Sequence, residues 1–313
     1  MTNIVLKLLE QDIVQVMNHY SAKKVERNGA GIRFAAKLPD TSITVYNSGK
    51  VMFQGGGAER EASKFGQVAN ASNASQKTTT SKGDKLPPNL ANLSVIGSDE
   101  TGTGDYFGPI TVAAVYVPAD KIKLIQTLGA KDSKQMNDTI IRQIAKDIMA
   151  SCPYSLLTLR NEKYNELQAK GYSQGKMKAM LHNQALQNVL TKIAPVEPDY
   201  ILIDQFAERG VYYNYLKNSK QVVQNRVLLA TKAESLHIAV AAASIIARYA
   251  FLIEMDKMSK PFGFNLQKGA SAKVDEMAAK ILKTHGEDTL RSISKWHFAN
   301  TDKAKALFNK KYR

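Results

Sequence analysis

At 313 residues, 44% of them apolar, the chain can bury the core of one large domain or of two ordinary ones. Its 43 lysines and arginines against 28 aspartates and glutamates leave a formal charge of +15, and basic groups are in excess both over residues 1–90 and over the remainder; this favours a polyanionic partner. The single cysteine, Cys152, excludes a disulfide framework or a cysteine-rich zinc site within one chain and fits a reducing, cytoplasmic setting.

The first residues, MTNIVLKLLEQDIVQVMNHY, carry Glu10 and Asp12 inside the apolar run and no small-residue cleavage site, so they do not read as a signal peptide. Apolar groups at 4, 5, 8, 9, 13, 16 and 17 predict one amphipathic helix over 3–20. IRFAAKL, SITVYNSG and KVMFQG then predict strands between 31 and 54, with Asn47-Ser48-Gly49 as a hairpin turn. A helix near 57–68 completes a small α+β unit, residues 1–66. The stretch QVANASNASQKTTTSKGDKLPPN, 67–89, has too little apolar surface to fold alone and predicts a flexible linker.

From 90 to 313 strands are predicted at 93–100, 110–118, 154–160 and 199–206, with a short fifth at 226–230. Helical patterns over 119–128, 135–150, 176–193, 208–217 and 236–256 alternate with them, which implies an α/β domain with a partly parallel sheet. The run 236–255 has the length of a membrane span, but His237, Arg248 and Glu254 interrupt it; a buried helix is the expectation, with no membrane partner. The basic tail 303–313 reads as a further charged helix. A monomer is the default state.

Several carboxylates fall where strands end. Asp99-Glu100 closes the first strand of this domain, Asp204 closes a later one, and Glu234 is predicted to open the long alanine-rich helix. Strand ends of α/β sheets are where ligands gather. Adjacent residues of a regular strand point to opposite faces, so Asp99 and Glu100 share a site only if the chain leaves the pleat there, which Gly102 and Gly104 permit. Carboxylates without cysteine suit Mg²⁺ or Mn²⁺, and two such ions about 3.5–4 Å apart can drive phosphodiester hydrolysis. Taken singly, each of the four also reads as an ordinary cap or exposed strand-end acid.

Taken together, GSDETGTGDYFGP (97–109), KDSKQM (131–136), MLHNQAL (180–186), ILIDQF (201–206), TKAESLHIAVAAASIIAR (231–248) and WHFANTDKA (296–304) resemble, in order, the motifs of the type 2 ribonucleases H, and among them bacterial ribonuclease HIII. The resemblance covers essentially the whole chain. It implies a ribonuclease H-like catalytic domain with a central mixed sheet flanked by helices, and a small N-terminal substrate-binding domain resembling the TATA-binding protein fold. It implies that Asp99, Glu100, Asp204 and Glu234 hold two Mg²⁺ or Mn²⁺ ions, and that the RNA strand of RNA–DNA hybrids is cut endonucleolytically to leave 5′-phosphate and 3′-hydroxyl ends. The chain departs from ribonuclease HII in having Glu234 where that enzyme has Asp, and Gly102-Thr103-Gly104 where it has Gly-Arg-Gly. No clear counterpart stands for the tyrosine with which ribonuclease HII senses a single ribonucleotide junction, and Tyr249 is not assigned that role. Incision at single embedded ribonucleotides is the alternative activity; a non-catalytic hybrid-binding protein is the alternative class.

The same resemblance places substrate contacts at Gly102, Thr103 and Gly104, whose backbone could read ribose 2′-hydroxyls, and at Ser133 and Lys134, which otherwise read as a helix cap and a solvated lysine. His182 and Asn183, in a helix of mixed polarity, each read either as functional or as buried hydrogen-bonding groups, and Asn183 is the better candidate for a phosphate contact. In the small domain, YNSGKVMFQG (46–55) resembles a substrate-contacting hairpin, with Tyr46, Asn47, Ser48, Lys50 and Gln54 as its candidates. Ser244 reads as a packing residue among alanines, His297 as either a proton-handling or a core histidine, and Tyr106 and Phe107 as core aromatics.

Overall fold

The structure, a computed structural model, describes residues 3–26, 32–47, 49–65, 83–130 and 136–312. The predicted contacts Ser48, Ser133 and Lys134 lie outside them. The chain divides into two compact units, Met1–Thr79 and Thr80–Arg313.

In the first unit, β1 (Asn3–Lys7), α1 (Glu10–His19), β2 (Ile32–Lys37), β3 (Thr41–Tyr46), β4 (Lys50–Gly55) and α2 (Ala58–Ala62) follow in order. The strands form one antiparallel sheet, β1-β4-β3-β2. Ile13, Val16 and Tyr20 of α1 pack on Phe34, Ile43, Val45, Val51 and Phe53. The helix expected over 3–20 is corrected here. Residues 3–7 pair with β4, because Ile4 and Leu6 alternate toward the core while Val5 stays 54% exposed; positions 4 and 8 satisfy both periods, and cross-strand pairing decides. The second helix is also shorter than the expected 57–68.

The second unit contains β5 (Val95–Thr101), β6 (Ile110–Val117), α3 (Ile122–Thr127), α4 (Asp138–Ser151), β7 (Tyr154–Leu159), α5 (Asn161–Ala169), α6 (Gln174–Ile193), β8 (Tyr200–Asp204), α7 (Arg209–Leu216), β9 (Val227–Ala230), α8 (Ile238–Ser259), α9 (Ala272–Ile293, broken at Gly286) and α10 (Ala299–Tyr312). The sheet order is β7-β6-β5-β8-β9, with β8 parallel to both its neighbours and the other pairs antiparallel. On one face Val95, Ala113 and Val115 meet α8 and α4; on the other Ile96, Val112 and Ala114 meet α6 and α7. Helix α8, long and apolar enough by composition to cross a membrane, lies against the sheet with most of its residues buried. Gly97 lets it come that close: a Cβ there would stand 2.2 Å from the backbone of Ala239.

Two further expectations are corrected. The segment expected to continue as linker to Asn89 is already part of the second unit at Gly83, which bridges to Ala230. Asp84 receives a two-pronged hydrogen bond from Arg209 at 2.9 and 2.8 Å and another from the Leu229 N–H at 2.8 Å. The open edge of β9 supplies unpaired backbone groups, and this strap satisfies them. Glu234 does not open the alanine-rich helix; it sits in a 3₁₀ turn, Ala233–Ser235, and α8 begins at Ile238 with His237 as its cap.

Candidate active site

The strand β5 keeps its pleat through both acids: Asp99, Glu100 and Thr101 pair in register with Ala113, Val112 and Thr111. The bend expected at the acid pair is therefore absent, and the two carboxylates leave opposite faces of the strand; without it they are still near enough for the charge of Glu100 to act on Asp99, which corrects the expectation that only a bend could bring them together. Asp99, 8% exposed, turns to α8, where Ser244 hydrogen-bonds it. Burial, then the charges of Glu100 and Asp204, push its carboxyl up to about 8. Glu100 turns to α6. Lys178 Nζ donates to its Oε1 at 2.7 Å, and His182 Nε2 lies 2.9 Å from its Oε2. Burial opposes the charge of Glu100 too, but the contacts from His182 and Lys178 outweigh it and bring the carboxyl down to about 2. The other ring nitrogen of His182 lies 2.6 Å from Ser98 Oγ, so the imidazole cannot turn away. Phe206 stacks on that ring and lies beneath the Lys178 ammonium, 4.2 Å from it.

Asp204 ends β8, which is parallel to β5, and its charge acts on Asp99. Its Oδ1 accepts the Ala233 N–H at 2.9 Å. That bond fixes the turn holding Glu234, whose Oε2 is buried. The fold thus links Asp99, Glu100 and Asp204 through their charges and sets Glu234 one residue beyond Asp204's hydrogen bond. Among the described residues, no three His, Cys, Asp or Glu side chains form a ready-made metal-binding group; Glu100's engagement with α6 is one physical reason.

Beyond Thr101 the chain leaves the pleat at Gly102, with φ 93°. A Cβ there would stand 2.1 Å from the Pro109 carbonyl oxygen, so only glycine fits. The Thr103 carbonyl accepts from Gln174 Nε2 at 3.0 Å, whereas Gly104 is exposed with nothing within 4 Å of a would-be Cβ. Tyr106 and Phe107 are fully buried core aromatics, as expected.

The remaining candidates divide. Asn183, 4% exposed, donates from its amide to the Gln221 carbonyl at 2.8 Å and accepts from the Val223 N–H at 2.9 Å, so it makes the buried hydrogen bonds that were its other reading. His297 stacks on Tyr164, and burial, with Lys295 nearby, lowers its pKa. In the first unit, Tyr46, Lys50 and Gln54 alternate with Val45, Val51 and Phe53, which are in the core, and so lie on the opposite sheet face. Asn47 is in the turn, closed by Gly49 N–H to the Tyr46 carbonyl at 3.1 Å. Lys178, Gln174 and the hydrogen-bonding role of Ser244 went unread in the sequence. The signal was present for two of them: Gln174, Lys178 and His182 recur every fourth residue, which puts them on one face of α6.

Comparison with known proteins agrees with this architecture. The family model described as Ribonuclease HII matches residues 96–301, and a model described only as a domain of unknown function matches residues 3–78. Ribonuclease HIII of Lysinibacillus sphaericus is 62% identical over 98% of this chain and 100% of its own length. That of Bacillus pumilus is 52% identical over 97% and 99%. The crystal structure of Bst-RNase HIII in complex with Mn²⁺ superposes with a TM-score of 0.71 at 46% identity, covering 99% of this chain and 100% of that one.

Proposed function

Because the chain belongs to the ribonuclease HIII family, it is a ribonuclease H, and we propose that it hydrolyses the RNA strand of RNA–DNA hybrids at the carboxylates on the ends of β5 and β8. The observation that carries this reading is the state of Asp99. Burial first, and then the charges of Glu100 and Asp204, push its carboxyl up to about 8. The chain gathers these carboxylates at one place, and the charge of Asp99 is disfavoured there. Every donor there is a carboxylate oxygen, which fits Mg²⁺ or Mn²⁺, and a 46% identical relative is known in complex with Mn²⁺. Asp99, Glu100, Asp204 and Glu234 would hold two such ions, which supply charge neutralisation and an activated water at the scissile phosphate.

The chain's own residues do the rest. Lys178 and His182 hold the Glu100 carboxylate in one orientation, Ser244 holds Asp99, and the Ala233 N–H holds Asp204, so the acids need little reorganisation when the substrate arrives. The exposed backbone of Gly104, with Gly102 and Thr103, faces the ribose 2′-hydroxyls. Ser133 and Lys134 contact phosphate. In the first unit the hairpin of Tyr46, Asn47, Ser48, Lys50 and Gln54 grips the hybrid backbone by charge and shape. A linker beginning at residue 67 would tether it, raising the local concentration of hybrid at the catalytic unit. The protein acts as a monomer in the cytoplasm.

The test is Asp204→Asn, assayed on a labelled hybrid with saturating Mn²⁺ alongside direct Mn²⁺ titration. Cleavage is expected to vanish and Mn²⁺ stoichiometry or affinity to fall, while hybrid binding persists. Undiminished cleavage would remove the acids from the chemistry.

A further inference from the structure

The Gly102–Gly108 loop is held by side chains that the acidic site does not use, among them Lys295, Gln174 and Asn161, whose Nδ2 donates to the Gly108 carbonyl at 2.9 Å. Lys295, just beyond α9, is fully buried. Its Nζ donates to the carbonyls of Asp105 and Gly108, each at 2.7 Å. A lysine withdrawn from water is costly unless its donors are satisfied. The nearest acid does not pair with it closely: Asp105 spends a carboxylate oxygen on the Gly269 N–H. Burial accordingly lowers the Lys295 ammonium to about 7 against the pull of Asp105. A residue needed only to fill that space would be leucine or methionine, without this cost. The backbone of the same segment adds two bonds, from the Lys295 N–H to the Tyr106 carbonyl at 2.8 Å and from the Gly108 N–H to the Ile293 carbonyl at 3.1 Å.

From the other side comes Gln174, the first residue of α6. Its amide donates to the Thr103 carbonyl at 3.0 Å and to the Tyr164 hydroxyl at 3.1 Å. Tyr164 in turn presents its ring 5.8 Å from the Lys295 ammonium, so one buried aromatic touches both clamps. Thr103, Asp105, Tyr106 and Gly108 therefore have their carbonyls taken by side chains or backbone outside the loop. Gly104, in their midst, is exposed and makes no hydrogen bond among the described residues.

We propose that Lys295 and Gln174 are positioning residues for sugar recognition: they fix the loop from both ends so that the unclaimed backbone of Gly104 meets a 2′-hydroxyl beside the scissile link. This rests on the reading that the loop faces the hybrid. Neither side chain touches the substrate. Each acts through a carbonyl, and the loop between them cannot yield when a deoxyribose replaces the ribose. That stiffness turns a hydrogen bond into discrimination, since a mobile loop would adapt to either sugar.

The experiment uses the full chain and a hybrid in which each 2′-hydroxyl flanking one cleavage site is replaced singly by hydrogen. The wild type identifies the position whose loss lowers kcat/KM most. Lys295→Met and Gln174→Ala are then compared on the intact and substituted hybrids, with circular dichroism and Tm as controls for folding. Both variants are expected to lower kcat on the intact hybrid by about 10- to 100-fold, with little change in KM. In both, the penalty for the missing 2′-hydroxyl should shrink toward none. A full wild-type penalty in both variants overturns the proposal, whatever happens to Tm. If Lys295→Met does not fold, Gln174→Ala, at the half-buried start of a helix, decides alone. A wild type indifferent to every flanking 2′-hydroxyl overturns the underlying loop reading instead, which keeps the two failures apart.

Discussion

Asp99 and Glu100 are neighbours on one strand, yet the fold treats them in opposite ways. The α8 side of β5 offers Asp99 alanines and one hydroxyl, and its carboxyl is pushed up. The α6 side offers Glu100 Lys178 and His182, and its carboxyl is pulled down. Period-two alternation is enough to do this: one residue of sequence separation changes the covering helix. The difference assigns unlike tasks to like groups. Glu100 is ionised and oriented by the chain itself, whereas the charge of Asp99 is left to be neutralised from outside, which is what a cation-dependent site requires.

The largest effect expected from breaking this contrast is on catalysis. Asp99→Asn should slow hybrid cleavage on the order of 10³-fold or more, about 4 kcal/mol of barrier, while making the cation-free protein more stable. The sign follows from the raised carboxyl. Its folded value, about 8, lies above the ordinary 3.8, so its stabilising contribution is whole below the ordinary value and is lost as pH rises through the folded one. Urea unfolding in chelator near pH 5 and near pH 9 should show the variant gaining on the wild type as pH rises; a constant gap would mean that the α8 face does not store charge. On the α6 face, Lys178→Met leaves a buried carboxylate with one partner fewer and should cost about 3 kcal/mol of stability. Glu100 is the opposite case, with a folded value near 2 below an ordinary 4.5. Its contribution is present above the ordinary value and lost as pH falls through the folded one, so Lys178→Met should flatten the acid limb of the stability profile. Adding Glu100→Gln to that variant should recover much of the loss, and simple additivity of the two changes would show that the pair is not coupled.

How much of this was legible follows from burial. The five strands of the catalytic sheet read within two residues of their observed ends, because strands covered on both faces are continuous apolar runs, as in ITVAAVYV. Asp204 closes its strand as read, while β5 runs one residue past Asp99-Glu100 and Glu234 lies in a turn rather than at the start of the helix. What failed was local pattern overruled by tertiary contact. NIVLK was absorbed into a helix because its edge pairing with β4 is invisible in one segment. Helix α5, NEKYNELQA, is too polar to announce itself, and the partly satisfied strap at Gly83-Asp84 looks like linker until the edge of β9 is present. Asn183 was a candidate through the resemblance of MLHNQAL, and the partners that its amide has in the fold, the backbone of Gln221 and Val223, lie nearly forty residues away.

The smallest of the expected effects bears on what holds α8 in place on the Asp99 side. Among the described residues the hydrogen-bonding cap of its N-terminus is not a charged group. Neutral His237 is that cap, accepting the Ala239 N–H on Nδ1 at 3.0 Å while Nε2 reaches the Leu93 carbonyl at 3.1 Å. Protonation of Nδ1 would abolish the cap, and burial lowers the imidazole to about 4. Because the folded value lies below the ordinary 6.5, the unfolded chain takes the proton first as pH falls. The contribution of His237 is then full above the ordinary value and declines toward the folded one, by roughly 2 kcal/mol between about pH 7 and about pH 5, opposite in sign to that of Asp99 over the same range. His237→Asn keeps a capping oxygen and removes the titration. It should therefore erase that decline while leaving stability near pH 8 within about 1 kcal/mol of the wild type. If the decline survives in the Asn variant, the α8 side has another titrating anchor, and the contrast between the two faces of β5 loses its simplest form.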